Sequence, residues 1–477
     1  MKLKHFLGLS SALCLGLVLV TMAQAQETGE VEQLRKQLQQ ANEAFQKAVE
    51  QHRQVIEALN KRLETIQPTA GGVASKPAAA QETNALASAP ALETKRWSAT
   101  DPIRVAGGGQ SYLNLSLDGL FAAGYSTAED VESLQTGGHD PKQRGFTVQN
   151  VELTLAGAVD PYFRGQGNVV LVLTPEGETE IELEEAFLES SSLPWGLQLK
   201  TGQYFTEFGR LNPTHPHAWD FVDQPLVNGR FFGGDGLRNP GARVSWLVPT
   251  PFYSELFFGA QNSQGETAES FRSDHEGEFY LGRPAGETRV KGFGDMLYSS
   301  RYAASFNLAE EHTLVAGASG AFGPNTSGSD TDTQIYGVDL FYKWKPRNHT
   351  KGFPFVTWQT EWMYRRYEAG AFAGDTDHPA QSRRALRDWG LYSQVAWGFR
   401  PRWVATLRGD YVNGDDADLG PESARRWRVS PALTFYPSEF SKLRLQYNRD
   451  DRERVGVDHS VWLQVEFLLG AHAAHKF

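Results

Sequence analysis

The chain has 477 residues, a net charge of −11 at pH 7 and a sequence pI of about 5.6. Because an acidic protein repels phosphate backbones, nucleic acid is not an expected partner. The only cysteine, Cys14, lies in an N-terminal apolar segment, so we expect a mature chain without a disulfide or a cysteine-ligated metal.

Residues 1–25 are predicted to be a secretory signal peptide. Lys2 and Lys4 precede an apolar run over residues 6–20, and Ala23-Gln24-Ala25 is a small-x-small cleavage sequence. The alternative is a retained transmembrane helix, but the apolar run is short for that and no charged stop signal follows it. We therefore expect an exported protein.

Residues 26–67 carry a heptad pattern that predicts a coiled-coil helix, ended by Pro68. One core position holds Val31, Leu38, Phe45, Leu59 and Ile66, and the other holds Leu34, Ala41, Ala48 and Val55. A solitary amphipathic helix lying on a surface is the alternative. Residues 68–105 are rich in Ala, Pro, Gly, Thr and Ser, a composition that predicts a flexible linker.

Residues 106–477 predict an all-β fold, an antiparallel transmembrane β-barrel of about 16 strands. They contain no apolar run long enough for a membrane-spanning helix, but apolar and polar residues alternate in about sixteen segments of roughly ten residues. In one segment Leu443, Leu445 and Tyr447 alternate with Arg444, Gln446 and Asn448. Every second connection is short and those between are mostly longer, which places the short turns and both termini in the periplasm.

The stretch from Trp195 to Pro249 contains two alternating arms joined by a loop of about 30 residues. Its run LQLKTGQYFTEFGRLNP follows EIELEEAFLES, and together they resemble the phosphate-selective porin (O and P type) family of the bacterial outer membrane. The resemblance implies a 16-stranded pore that is commonly trimeric, with a long loop folded inward.

The charges predicted to face the lumen do not favour one sign. Nine are basic and nine are acidic, so we do not carry phosphate selectivity over from the resemblance. They are Arg164, Lys200, Arg243, Arg301, Lys343, Arg365, Arg408, Arg428 and Arg444, against Asp118, Glu152, Glu182, Glu184, Glu255, Asp339, Glu361, Asp410 and Glu466.

The loop over residues 208–239 is predicted to enter the barrel and narrow the pore. It holds six large apolar side chains, and burial would stabilise each by roughly 1.5–3 kcal/mol. The alternative is that its aromatic residues pack at a subunit interface. The predicted constriction residues are Lys200, Arg210, Asp220, Asp223, Arg230, Asp235, Arg238 and Arg243.

His215 and His217 flank Pro216 and would share a face in an extended segment, which makes them weak candidates for a metal site. No third ligand accompanies them at a defined spacing, so we predict no metal and no cofactor. Carboxylate pairs such as Glu184-Glu185 have no nucleophile beside them, and we predict that the protein is not an enzyme.

These patterns predict an outer-membrane porin for passive diffusion of small hydrophilic solutes or ions, embedded in lipid as a homotrimer. The alternative function is a tether: the barrel would be an anchor, and the periplasmic coiled coil would bind a partner or the cell wall. Channel conductance separates the two functions.

Overall fold

A computed structural model describes residues 102–470, except 110, 192, 274–278, 287–288, 417–418 and 421–422. The predicted signal peptide, the predicted coiled coil and almost all of the predicted linker lie outside the described residues, as does the tail from residue 471. Those assignments therefore stay predictions.

The described residues form strands and one short α-helix. The first strands are β1 (Ile103–Gly108), β2 (Ser111–Ser126), β3 (Gly145–Ala158), β4 (Phe163–Leu173), β5 (Thr179–Ser190), β6 (Leu197–Phe205), β7 (Arg238–Leu247), β8 (Tyr253–Asn262), β9 (Phe279–Tyr280) and β10 (Arg283–Pro284). The others are β11 (Met296–Ala309), β12 (His312–Pro324), β13 (Asp332–Trp344), β14 (Phe355–Ala369), β15 (Arg384–Arg400), β16 (Trp403–Gly414), β17 (Arg426–Ser438), β18 (Ser441–Arg452) and β19 (Gly456–Leu469). Helix α1 (Leu226–Phe232) lies between β6 and β7, and 3-10 turns occupy Pro194–Gly196, Pro216–Ala218 and Phe293–Asp295.

Sixteen of these strands form one closed antiparallel barrel, as predicted. Strands β2 to β8 and β11 to β19 pair in chain order, β8 pairs with β11, and β19 closes on β2 with Leu469 opposite Leu117. Strand β1 adds a pairing to the start of β2, and β9 with β10 forms a separate two-stranded ribbon.

The barrel is apolar outside and polar inside, the reverse of a water-soluble sheet. In β18, Leu443, Leu445 and Tyr447 are exposed, whereas Arg444 and Gln446 are at most 1% exposed. Successive strand residues point to opposite faces, so this alternation presents one face to lipid and the other to the lumen. No helix among the described residues is long and apolar enough to cross a membrane.

The connections on the two rims differ in length, as the sequence predicts. One rim carries short connections such as 159–162, 401–402 and 439–440, and the other carries 127–144, 206–237 and 263–295.

A β-bulge in β5 changes which side chains reach the interior. Asn168 pairs with Glu185 and Val169 pairs with Leu183, so Glu184 is the extra residue. As a result two consecutive carboxylates, Glu184 and Glu185, are both buried. Bulges re-aim side chains in this way, and strict alternation along the sequence does not predict them.

The connection over residues 206–237 lies inside the barrel. Its apolar side chains pack with residues of the 263–295 connection and of the barrel wall into one buried cluster. The cluster contains Phe208, Leu211, Leu226, Val227, Phe231, Phe232, Leu237, Ala268, Phe271, Leu297, Ala321, Ile335, Met363, Tyr392 and Val412. The sequence predicted a long loop here, and within it the structure has the short helix α1, which the burial of Leu226, Phe231 and Phe232 supports.

Candidate functional site

A chamber of about 820 Å³ lies inside the barrel on the side of the short turns, beneath the inward loop. Its walls come from the strand ends nearest the short turns, and its roof is formed by loop residues 209–225. Charged side chains of both signs line it: Arg164, Lys200, Arg210, Arg301 and Arg408, with Glu185, Glu189, Glu207, Asp220 and Asp223.

Asp223 ties the roof to the barrel wall. Arg408 Nη2 donates to its Oδ1 at 2.7 Å and Arg428 Nη1 donates to its Oδ2 at 2.9 Å. Gln446 Nε2 and Asn448 Nδ2 add hydrogen bonds of 2.8 and 2.7 Å. All five residues are buried, so the carboxylate has four side-chain donors in place of water.

The backbone around Asp223 is bound to the same wall. Arg444 donates to the carbonyl oxygens of Trp219 at 2.8 Å and Phe221 at 3.0 Å, and the Val222 amide donates to Gln446 Oε1 at 2.8 Å. A loop backbone inside a barrel has no neighbouring strand, so these wall side chains satisfy groups that burial would otherwise leave unpaired.

Lys200 and Arg243 lie on β6 and β7, where the sequence places them facing the interior. The Lys200 ammonium is 3.8 Å from Glu189 Oε2 and 4.0 Å from the ring centroid of Phe187. Arg243 contacts Glu189 Oε2 at 3.1 Å and Glu207 Oε1 at 3.2 Å. The two glutamates were absent from the predicted site, although the alternation in β5 places Glu189 on the face opposite Leu188.

Arg210 and Asp220 are the predicted loop charges that are only half-buried and face the chamber. Arg210 Nε donates to Gln359 Oε1 at 3.2 Å, and its guanidinium lies 3.9 Å from the ring centroid of Phe341. Asp220 Oδ2 accepts a long hydrogen bond of 3.4 Å from Gln394 Nε2.

The structure separates the remaining predicted loop charges from the chamber. Arg230 donates to the carbonyl oxygen of Ala424 in the 415–425 connection. Arg238 pairs with Glu182, and Asp235 Oδ1 lies 4.0 Å from His139 Nε2. These three residues support the loop from the side of the long connections. Of the eight predicted residues, Lys200, Arg210, Asp220 and Asp223 line the chamber, and Arg243 lies beside it on Glu189 and Glu207.

His215 and His217 contact buried glutamates, and the sequence analysis did not predict these contacts. His215 Nδ1 is 2.7 Å from Glu184 Oε2 and its Nε2 is 3.1 Å from Glu185 Oε2, while His217 Nδ1 is 3.1 Å from Glu152 Oε2. Burial opposes protonation of His215, but the carboxylates of Glu184 and Glu152 raise its pKa well above the usual value.

No protein-family model matches the chain. An uncharacterized protein of Aquifex aeolicus (strain VF5) is 31% identical to it over 402 residues, which cover 76% of this chain and 79% of that protein. The chain belongs to the same family as the Aquifex protein.

Two solved structures share the barrel at lower similarity. The outer membrane channel DcaP of Acinetobacter baumannii is 15% identical with a TM-score of 0.49, over 75% of this chain and 97% of that one. The anion-selective porin from Comamonas acidovorans is 8% identical with a TM-score of 0.48, over 75% and 100%.

Proposed function

We propose that the protein is a porin-type channel of the bacterial outer membrane, through which small hydrophilic solutes or ions diffuse passively. The observation that carries this proposal is the chamber of about 820 Å³, lined by charges of both signs inside a barrel with an apolar exterior. A protein that only anchored a tether would have no need of a charged chamber.

In this proposal the inward loop forms the constriction. Its charged side chains Arg210 and Asp220 face the chamber, and opposite charges at a narrow point create a field across the solute's path. Membership of the O and P type phosphate-selective family stays a prediction, and the mixed charges do not favour phosphate over other solutes.

The tethering function is the second candidate, and one observation favours it. The apolar cluster around Phe208, Phe231 and Phe232 fills part of the lumen, and a permanently packed lumen would leave only an anchor. The predicted periplasmic coiled coil over residues 26–67 would then be the functional part.

Conductance of the purified full chain in planar bilayers decides between the two. We expect stable open steps, and a variant with residues 220–232 replaced by a short Gly-Ser linker should give larger steps. The control is a similar replacement of residues 375–379, which form an exposed part of the 370–383 connection. If neither the full chain nor the loop variant conducts while both remain folded, the channel proposal is wrong and the tethering function is supported.

We further propose a homotrimer, with the coiled coil as a second clamp. Phe45 is large for a two-stranded seam and favours three strands. Chemical crosslinking of the full chain and of a peptide over residues 26–68 should give trimers. A peptide dimer would contradict a trimeric coiled coil. A peptide that stays monomeric at high concentration would show that these residues do not hold the trimer together.

A further inference from the structure

We propose that Glu152, Glu184 and His215 bind one divalent transition-metal ion, such as Zn²⁺, where the inward loop meets the barrel wall. Glu152 belongs to β3, Glu184 is the bulged residue of β5, and His215 belongs to the loop. The site borders the chamber at His215, but the proposal does not depend on the transport function.

The three ligand atoms have the spacing of a coordination shell. Each lies within 4.8 Å of the other two, and His215 Nδ1 is 2.7 Å from Glu184 Oε2 and 3.5 Å from Glu152 Oε1. Tetrahedral ligands held 2.0–2.1 Å from zinc are about 3.3 Å apart, which these two distances bracket.

The closest pair of atoms is a buried ion pair. His215 Nδ1 and Glu184 Oε2 lie 2.7 Å apart, and their alignment does not have the geometry of a hydrogen bond. A divalent cation between them would replace the imidazole proton and take both atoms as ligands. Glu184 is 1% exposed, so bulk water does not form hydrogen bonds with its carboxylate.

Surrounding groups orient the proposed ligands as a second shell does in metalloproteins. The other ring nitrogen of His215 lies 3.1 Å from Glu185 Oε2, which gives a carboxylate–histidine–metal arrangement. Thr154 Oγ1 donates to Glu152 Oε1 at 3.0 Å, and Asn168 donates to the same atom. The bulge in β5 is what brings both Glu184 and Glu185 to the histidine.

The donor set selects the class of ion. One imidazole with two carboxylates suits Zn²⁺ or a neighbouring first-row metal, whereas Mg²⁺ and Ca²⁺ prefer oxygen ligands alone. Three glutamates, Glu152, Glu184 and Glu185, are buried together here, and a dication would offset their mutual repulsion. A bound ion would also fasten His215 of the loop to β3 and β5, in addition to the Asp223 anchor on β16 and β17.

Zinc binding to the full chain tests the proposal. The protein in detergent is treated with EDTA, dialysed and titrated with Zn²⁺, with calorimetry for affinity and elemental analysis for stoichiometry. We expect one tight equivalent, and a loss of affinity of at least ten-fold in both His215→Asn and Glu184→Gln. The control His378→Asn, at an exposed histidine 3.1 Å from Asp375, should bind zinc as the unaltered chain does.

Replacement of zinc by Co²⁺ gives a spectroscopic readout that the unaltered chain alone can provide. A visible absorption spectrum with nitrogen and oxygen coordination is expected from the unaltered chain, and Glu185→Gln should shift that spectrum. The proposal is overturned if the unaltered chain binds no zinc, or if folded His215→Asn and Glu184→Gln retain the same tight equivalent. Loss of zinc in His139→Asn alone would also overturn it, because that result would place the ion at the neighbouring cluster of His139, Glu182 and Asp235.

Discussion

Asp223 and Arg408 form a buried ion pair of 2.7 Å that fixes the centre of the inward loop to strand β16. Replacing Asp223 by Asn should release the loop, because two buried guanidinium groups, Arg408 and Arg428, lose their shared counter-charge. Arg408 still pairs with Asp410 and Arg428 with Asp450, so we expect a loss of about 1.5–3 kcal/mol, the usual contribution of a hydrogen bond to a charged group. We expect noisier and larger single-channel currents and a lower free energy of unfolding, measured by denaturant titration in lipid vesicles.

Asp235→Asn is the matched control for that variant. Asp235 lies in the same loop, but its nearest ion-pair group is His139 at 4.0 Å and it is partly exposed. Currents and stability should stay close to those of the unaltered chain. If Asp223→Asn and Asp235→Asn behave alike, the Asp223 anchor does not hold the loop.

Arg210 and Asp220 should act on ion selectivity in opposite directions. Both face the chamber from the loop, and a unit charge at about 4 Å changes the energy of a passing ion by about 1 kcal/mol in water. Arg210→Gln should therefore lower anion permeability by up to about five-fold and raise cation permeability, and Asp220→Asn should do the reverse. Reversal potentials in a salt gradient measure both changes.

Salt and a remote variant provide the checks on selectivity. The two shifts should shrink as ionic strength rises, because mobile ions screen charges in water-filled space. Arg347→Gln on the exposed 345–354 turn should leave the reversal potential unchanged. Shifts of the same sign in Arg210→Gln and Asp220→Asn would exclude a direct electrostatic effect at the loop.

A single charge placed on the outer face of the barrel tests whether lipid surrounds that face. Leu445 is 53% exposed near the middle of β18, and an arginine there should cost about 2–4 kcal/mol of folding free energy in a bilayer. Val455 is 67% exposed in the turn after β18, where water solvates a charge, so Val455→Arg should cost little. Equal losses in the two variants would argue against lipid around β18.

The alternation of side chains explains why the barrel could be predicted from sequence. Leu443, Leu445 and Tyr447 point outward with Arg444 and Gln446 inward, and this pattern needs only the two-residue period of a strand. The bulge at Glu184 breaks that period. Its position depends on how β4 pairs with β5, so the residues of β5 alone do not predict it. Helix α1 was missed for a related reason: the core that supports it comes from other parts of the chain.

The candidate site was predictable only in part. The apolar content of the loop correctly suggested burial, and Lys200, Arg210, Asp220 and Asp223 do line the chamber. The sequence could not show that Arg230 and Arg238 face away from it, since an irregular loop has no period from which to assign a face. The glutamates beside His215 lie on other strands, and the nearest of them in the chain, Glu185, is 30 residues away. Spacing along the sequence therefore could not predict that they contact the histidine.

Phe231 offers a test of whether the apolar cluster in the lumen supports the loop. Its ring is fully buried and lies 4.8 Å from the Arg365 guanidinium, so Phe231→Ala removes both packing and a cation–π contact. Truncating a buried phenylalanine costs about 3–5 kcal/mol, and we expect a lower denaturant midpoint with more frequent changes of current level. Phe146→Ala is the control, because Phe146 is 85% exposed on β3. Lower stability without altered currents would mean that the cluster holds the barrel together but does not control the pore.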